Sequence, residues 1–140
     1  MNRTASNVRI GEVYMMHFDG HGSEQSGWRP GLVFQNNTGN LHSPNIIALP
    51  ITSSTKKRYL PTHVFLSAHN TGPKFDSMVL CENPERMSKE RIGSFITSMS
   101  RNYMASIAEA NLLATSAIAF IDREKLLEIW KKASYLNAAV

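Results

Sequence analysis

The chain has 140 residues, enough for one domain with its own hydrophobic core and too few for two. Hydrophobic residues make up 42% and charged residues 19%, which excludes a disordered polar chain. The formal charge of +4 leans toward polyanions but falls short of the basic stripe of a dedicated duplex-DNA binder.

The single cysteine, Cys81, excludes a disulfide within the chain. It follows Met78, Val79 and Leu80 in an apolar run, which points to a small buried hydrophobe rather than a reactive thiol. The N-terminus is polar through Asn7, and no apolar run reaches the roughly 18 residues of a membrane span, so a cytoplasmic protein with no membrane contact is expected.

In chain order, Val13 to Phe18 is apolar and β-prone. Gly31 to Phe34 follows Pro30, and a proline that opens a strand gives up no ladder donor. Asn36-Asn37-Thr38-Gly39-Asn40 reads as a turn, with Gly39 and the asparagines able to take positive φ. Ile46 to Ile51, His63 to Leu66 and Met78 to Cys81 are further strands. Strands at this spacing, broken by Gly, Asn and Pro, predict a small barrel or sandwich-like sheet.

From Ser100 the period turns helical. Tyr103 or Met104, Ile107, Ala110 or Asn111, Ala114 and Ile118 recur every three or four residues, and Ser100 suits the N-cap. A second helix is expected from about Asp122, with Asp122 as cap and Leu126, Leu127, Ile129 and Trp130 as its apolar face. Lys131 and Lys132 near its end would complement the helix dipole. The class is α+β, a strand-rich body followed by C-terminal helix.

Three polar clusters interrupt the strands. Gly22-Ser23-Glu24-Gln25-Ser26-Gly27-Trp28-Arg29-Pro30 ends on an arginine, whose planar fork suits a phosphate and stays charged at any working pH. Pro50-Ile51-Thr52-Ser53-Ser54-Thr55-Lys56-Lys57-Arg58 puts hydroxyls at the end of a strand with three basic residues following, and Cys81-Glu82-Asn83-Pro84-Glu85-Arg86 places acid, amide and base together. Each also reads as an ordinary solvated loop or turn. His17, His21, His42, His63 and His69 have no zinc-ligand spacing, and no nucleotide-binding glycine motif or G-x-S-x-G is present, so neither metal nor cofactor is expected.

The order of the clusters resembles the MazF/PemK family of toxin endoribonucleases, within the CcdB/PemK fold superfamily. The pieces are Gly11-Glu12-Val13-Tyr14, the Gly22 to Pro30 loop, Gln35-Asn36-Asn37-Thr38-Gly39-Asn40, Ser43-Pro44 and Ile51-Thr52-Ser53. Pro61-Thr62-His63-Val64, Asp76-Ser77, Cys81-Glu82, Lys89-Glu90-Arg91-Ile92-Gly93 and Glu109-Ala110 complete them, over about Arg9 to Ile118. The glutamine-asparagine and Pro-Thr-His-Val pieces look most like the Gram-positive branch.

This resemblance implies one domain over residues 1–140, an SH3-like β-barrel core at about 9–120 with a helical extension at 121–140, and a homodimer. It implies a toxin held by a cognate antitoxin and sequence-selective, metal-independent cleavage of single-stranded mRNA. The ribose 2′-OH would attack the adjacent phosphorus and leave a 2′,3′-cyclic phosphate and a 5′-OH. The positions matching the catalytic pair are Arg29, to neutralise the phosphorane oxygens, and Thr52, to hold a nonbridging oxygen in line. Glu24 and Glu82 are the candidates for the base. Ser23, Gln25, Trp28, Ser53, Lys56 and Asn83 are the expected substrate contacts, Trp28 as a stacking platform.

Two departures stand out. Glu82-Asn83-Pro84-Glu85-Arg86 replaces the usual E-Q-x-R-T, and Asn111 stands where leucine is common. Two alternatives stay open at this point: a toxin of the same fold that inhibits a protein such as DNA gyrase, and a non-catalytic RNA-binding relative.

Overall fold

In a computed structural model, the structure describes residues 7–20, 27–53, 60–68 and 76–138. The strands are β1 (Glu12–Phe18), β2 (Gly27–Val33), β3 (Asn45–Thr52), β4 (His63–Leu66), β5 (Ser77–Leu80), β6 (Glu85–Ser88) and β7 (Ile92–Ser98). The helices are α1 (Asn37–His42), α2 (Arg101–Thr115) and α3 (Arg123–Ala138). All pairing is antiparallel, in the order β4-β5-β3-β2-β1-β7, with β6 also on β3. The α+β class holds, but among the described residues β4 and β7 do not pair, so the sheet is open rather than a closed barrel.

β3 organises the sheet. Ala48, Leu49 and Pro50 pair with Val33, Leu32 and Gly31 of β2, and Asn45 to Ala48 pair with β6 on the other edge. Ile51 and Thr52 then pair with Val79 and Met78 of β5. Alternation along the strands gives the sheet two packed faces. Val13, Leu32, Leu49, Ile51 and Val79 meet Ile107 and Ala110 of α2. Tyr14, Met16, Val33, Ile46 and Ala48 form the second cluster on the opposite face.

Several expectations change. β2 begins at Gly27, so Pro30 lies inside it; β3 pairs with β2 only from Gly31 onward, which leaves Pro30 one hydrogen-bonding edge without a ladder partner. The Asn36–Asn40 segment is a helix rather than a turn. Asn36 Oδ1 accepts from Gly39 N at 2.9 Å as the N-cap, and the buried Asn37 and Asn40 bind each other and the backbone of Ile10 and Gln35. Gly39 does not take positive φ. It is small because a Cβ there would lie 2.9 Å from the Gln35 side-chain nitrogen.

Ser100 caps α2 through Tyr103 N, and Asp122 Oδ1 accepts from Lys125 N at 2.7 Å at the start of α3. α3 continues well past Lys131 and Lys132, so these lysines sit mid-helix and do not face its terminal carbonyls. Its expected apolar face is solvent-exposed, Trp130 at 63%. The helix is tied to the body at its far end: Asn37 N donates to Asn137 Oδ1 at 3.0 Å, and Thr38 Oγ1 to Leu136 O at 2.8 Å. Among the described residues no helix is long and apolar enough to cross a membrane.

Candidate active site

Arg29 lies on β2 opposite Met16 of β1, half-buried, on the face of the second core cluster. Gly31, next on that face, has no room for a side chain, because a Cβ would fall 2.5 Å from Met16 Sδ. The β2–β3 register runs Val33 to Ala48, Leu32 to Leu49 and Gly31 to Pro50. The ladder ends at Gly31 and Pro50, and its register extended two residues past that last pair points Arg29 toward Thr52. Leu49 and Ile51 both belong to the α2-side cluster, so the alternation of β3 survives its change of partner and Thr52 faces the same way as Arg29. Thr52 is buried, at 5% exposure, on the last residue of β3.

The register carries this face onward. Thr52 pairs with Met78, and Met78 with Phe65 of β4; one row over, Leu80 pairs with His63. His63 Nε2 lies 2.8 Å from Glu82 Oε2, and the same oxygen accepts from Thr62 Oγ1 at 2.9 Å. His63 is buried, and Glu82 keeps about a quarter of its side-chain surface exposed. Glu82 Oε1 and His63 Nδ1 are buried without a partner among the described residues. A cleft of about 470 Å³ between β4 and α2, lined by His63, Val64, Ser106 and Glu109, opens on the α2 side of His63.

Glu82 and Asn83 belong to the excursion Cys81–Pro84 that separates β5 from β6 along one edge of β3. Asn83 and Ser53 are exposed. The excursion is held from beneath by Asn111 Nδ2, which donates to Cys81 O at 3.2 Å. Asn111, the departure noted in the helix, thus supports the loop that carries Glu82. Burial, and then the charge of Glu82, push the Cys81 thiol up to about 12, so this cysteine is inert.

Trp28 is not on the Arg29 face. As the neighbouring residue of β2 it projects the other way, edge-on to His17 at 5.4 Å between ring centroids and close to Gly93. Ser23, Glu24, Gln25 and Lys56 lie outside the described residues. Strand alternation puts Arg29 and Thr52 on one face, Glu82 and Asn83 lie on the loop after β5, and Ser53 follows Thr52. The structure adds His63, 19 positions before Glu82 in the chain, whose partner only the β4–β5 pairing reveals.

Fold and site together define a small α+β domain with an antiparallel sheet that carries Arg29, Thr52 and a carboxylate held by Thr62 and His63. The family model described as the PemK-like, MazF-like toxin of type II toxin–antitoxin systems matches residues 9–114, and the chain belongs to that family. It is 38% identical over 114 residues to Endoribonuclease EndoA of Bacillus subtilis, a match covering 81% of this chain and 98% of that one. Among solved structures, MazF from Deinococcus radiodurans superposes with a TM-score of 0.68 at 22% identity, over 78% of this chain and 96% of that one. A mycobacterial endoribonuclease in complex with its cognate antitoxin gives a TM-score of 0.63 at 25% identity, over 79% and 96%. α3 lies beyond the residues the family model matches.

Proposed function

We propose that this chain is the toxin of a type II toxin–antitoxin pair and an endoribonuclease that cuts single-stranded mRNA at preferred sequences without a metal. RNA carries its own nucleophile in the 2′-OH. The protein then has to position the phosphate, stabilise the charge that builds on it and accept a proton.

What supports this reading is that strand alternation puts Arg29 and Thr52 on one face at neighbouring ends of β2 and β3, with Glu82 on the loop that follows β5, the strand paired with Thr52. Arg29 donates to the nonbridging oxygens of the phosphorane, and Thr52 fixes one of them. Glu82, whose side chain keeps about a quarter of its surface exposed, takes the 2′-OH proton, while Thr62 and His63 hold Oε2 and so fix the carboxylate's direction. The 2′-oxygen bonds to phosphorus, the bond from phosphorus to the 5′-oxygen breaks, the leaving oxygen takes a proton from water, and the products end in a 2′,3′-cyclic phosphate and a 5′-OH. Ser53 and Asn83, exposed at the site's margins, contact flanking nucleotides.

An RNA with a single 2′-deoxy substitution at the cleaved nucleotide tests this. It is expected to resist at that position alone; cutting there at the normal rate would exclude 2′-OH attack. The same reading places the protein in the cytoplasm with its mRNA substrate and an antitoxin. A second copy would cover exposed apolar residues such as Leu113 and Phe120.

A further inference from the structure

Phe65 stands out in β4. It is 48% exposed, while its neighbours Val64 and Leu66 pack toward α2. Its ring therefore projects from the opposite face, the face of Thr52. Its register partner is Met78, the partner of Met78 is Thr52, and the β2–β3 register continued sets Arg29 beyond Thr52. One paired row thus runs Phe65, Met78, Thr52 across three strands, and the extended β2–β3 register points to Arg29 beyond it. At about 4.8 Å between neighbouring strands, the Phe65 backbone lies about 10 Å from Thr52 and about 14 Å from Arg29. That is the reach of a nucleotide flanking the phosphate held between Arg29 and Thr52. Met78, 4% exposed, forms the floor between them.

We infer that Phe65 is a stacking platform for an unpaired base flanking the cleaved bond. The inference rests on the ribonuclease reading above and assigns how that site grips its substrate. A phenyl ring has no hydrogen-bonding group with which to read a base edge. It offers a face to any base, so it contributes hold and strand direction rather than sequence choice. Trp28, also exposed, faces away from Arg29 and does not supply this contact.

The test is steady-state cleavage by the full chain, as wild type, Phe65→Ala and Phe65→Tyr. The substrate is an oligoribonucleotide carrying the cleaved sequence, with an abasic ribose placed in turn at each flanking position. Phe65→Ala is expected to raise KM about 5- to 150-fold with kcat nearly unchanged, the effect of losing one stacked base. Phe65→Tyr stays near wild type. One abasic position weakens wild type as much as Phe65→Ala does and weakens that variant no further. An unchanged KM in Phe65→Ala, with wild type cleaving, overturns the Phe65 assignment and leaves the ribonuclease reading standing. A loss that Phe65→Tyr shares, with a lowered melting temperature in both, makes the ring a packing residue and also overturns it. A wild-type protein that cuts no RNA overturns the reading beneath.

Discussion

Removing the Glu82 carboxylate separates its structural role from its chemical one. Glu82 Oε2 receives both the Thr62 hydroxyl at 2.9 Å and His63 Nε2 at 2.8 Å. In Glu82→Ala the Thr62 hydroxyl, only half-buried, can turn to water. The imidazole cannot, because His63 is 6% exposed and its Nδ1 already lacks a partner. One newly unpaired buried polar group costs about 1–3 kcal/mol. Loss of the poorly solvated Oε1 returns part of that, so a net cost of about 1–2 kcal/mol is expected, or a melting temperature lowered by roughly 3–8 °C. Glu82→Gln keeps an acceptor for both donors and should melt within about 2 °C of wild type, a shift worth well under 1 kcal/mol in a domain this small. Both variants lose the proton acceptor, and cleavage should fall about 10²- to 10⁴-fold. Thermal unfolding and single-turnover cleavage, run on the same preparations, read the two effects apart. If Glu82→Gln cuts within a few-fold of wild type, Glu82 is not the base. If Glu82→Ala melts with wild type, the His63 contact holds nothing.

Other perturbations follow the same logic. Arg29→Ala removes the charged donor aimed at the phosphorane and should lower kcat at least 10²- to 10³-fold, measured under saturating RNA, with Arg29→Lys intermediate. Asn137→Ala deletes the acceptor of Asn37 N and should raise amide exchange throughout α3 while the strands stay protected, since most of that helix is exposed. Cys81 should resist a disulfide reagent at pH 8 in the folded protein and react fully on denaturation, because a thiol at about 12 is about one part in 10⁴ thiolate there. The unfolded chain releases that proton from about pH 9, while the folded chain holds it to about 12. Cys81 therefore lowers stability as pH rises through this window, and Cys81→Ala should flatten the decline in a urea titration series.

Much of the frame is legible in the residues. β1, β3, β4 and β5 declare themselves by apolar runs between turn formers, and Ser100 and Asp122 mark the helix starts by their caps. β6 and β7 are not legible. Glu85 to Ser88 buries only Met87, and Ile92 to Ser98 is half-exposed or exposed throughout; both are strands because the edges of β3 and β1 supply their ladders. The asparagines after Gln35 do carry turn chemistry. They build a helix because Ile10 and Asn137, distant in sequence, and the preceding Gln35 complete their hydrogen bonds. At the site, Arg29 and Thr52 are found through the family's motif. Their common face, the His63 hold on Glu82 and the outward ring of Phe65 follow from strand pairing, which no local pattern encodes. Trp28 shows the same limit: one position from Arg29 in the chain, it stands on the other side of the sheet.

The most direct test of the central claim is incubation of the purified chain with a long single-stranded RNA in EDTA, followed by analysis of the new ends, beside Arg29→Ala. The account predicts discrete fragments with 5′-OH and 2′,3′-cyclic phosphate termini, lost in the variant. Fragments that require an added metal ion, that carry 5′-phosphates, or that persist undiminished with Arg29→Ala would contradict it.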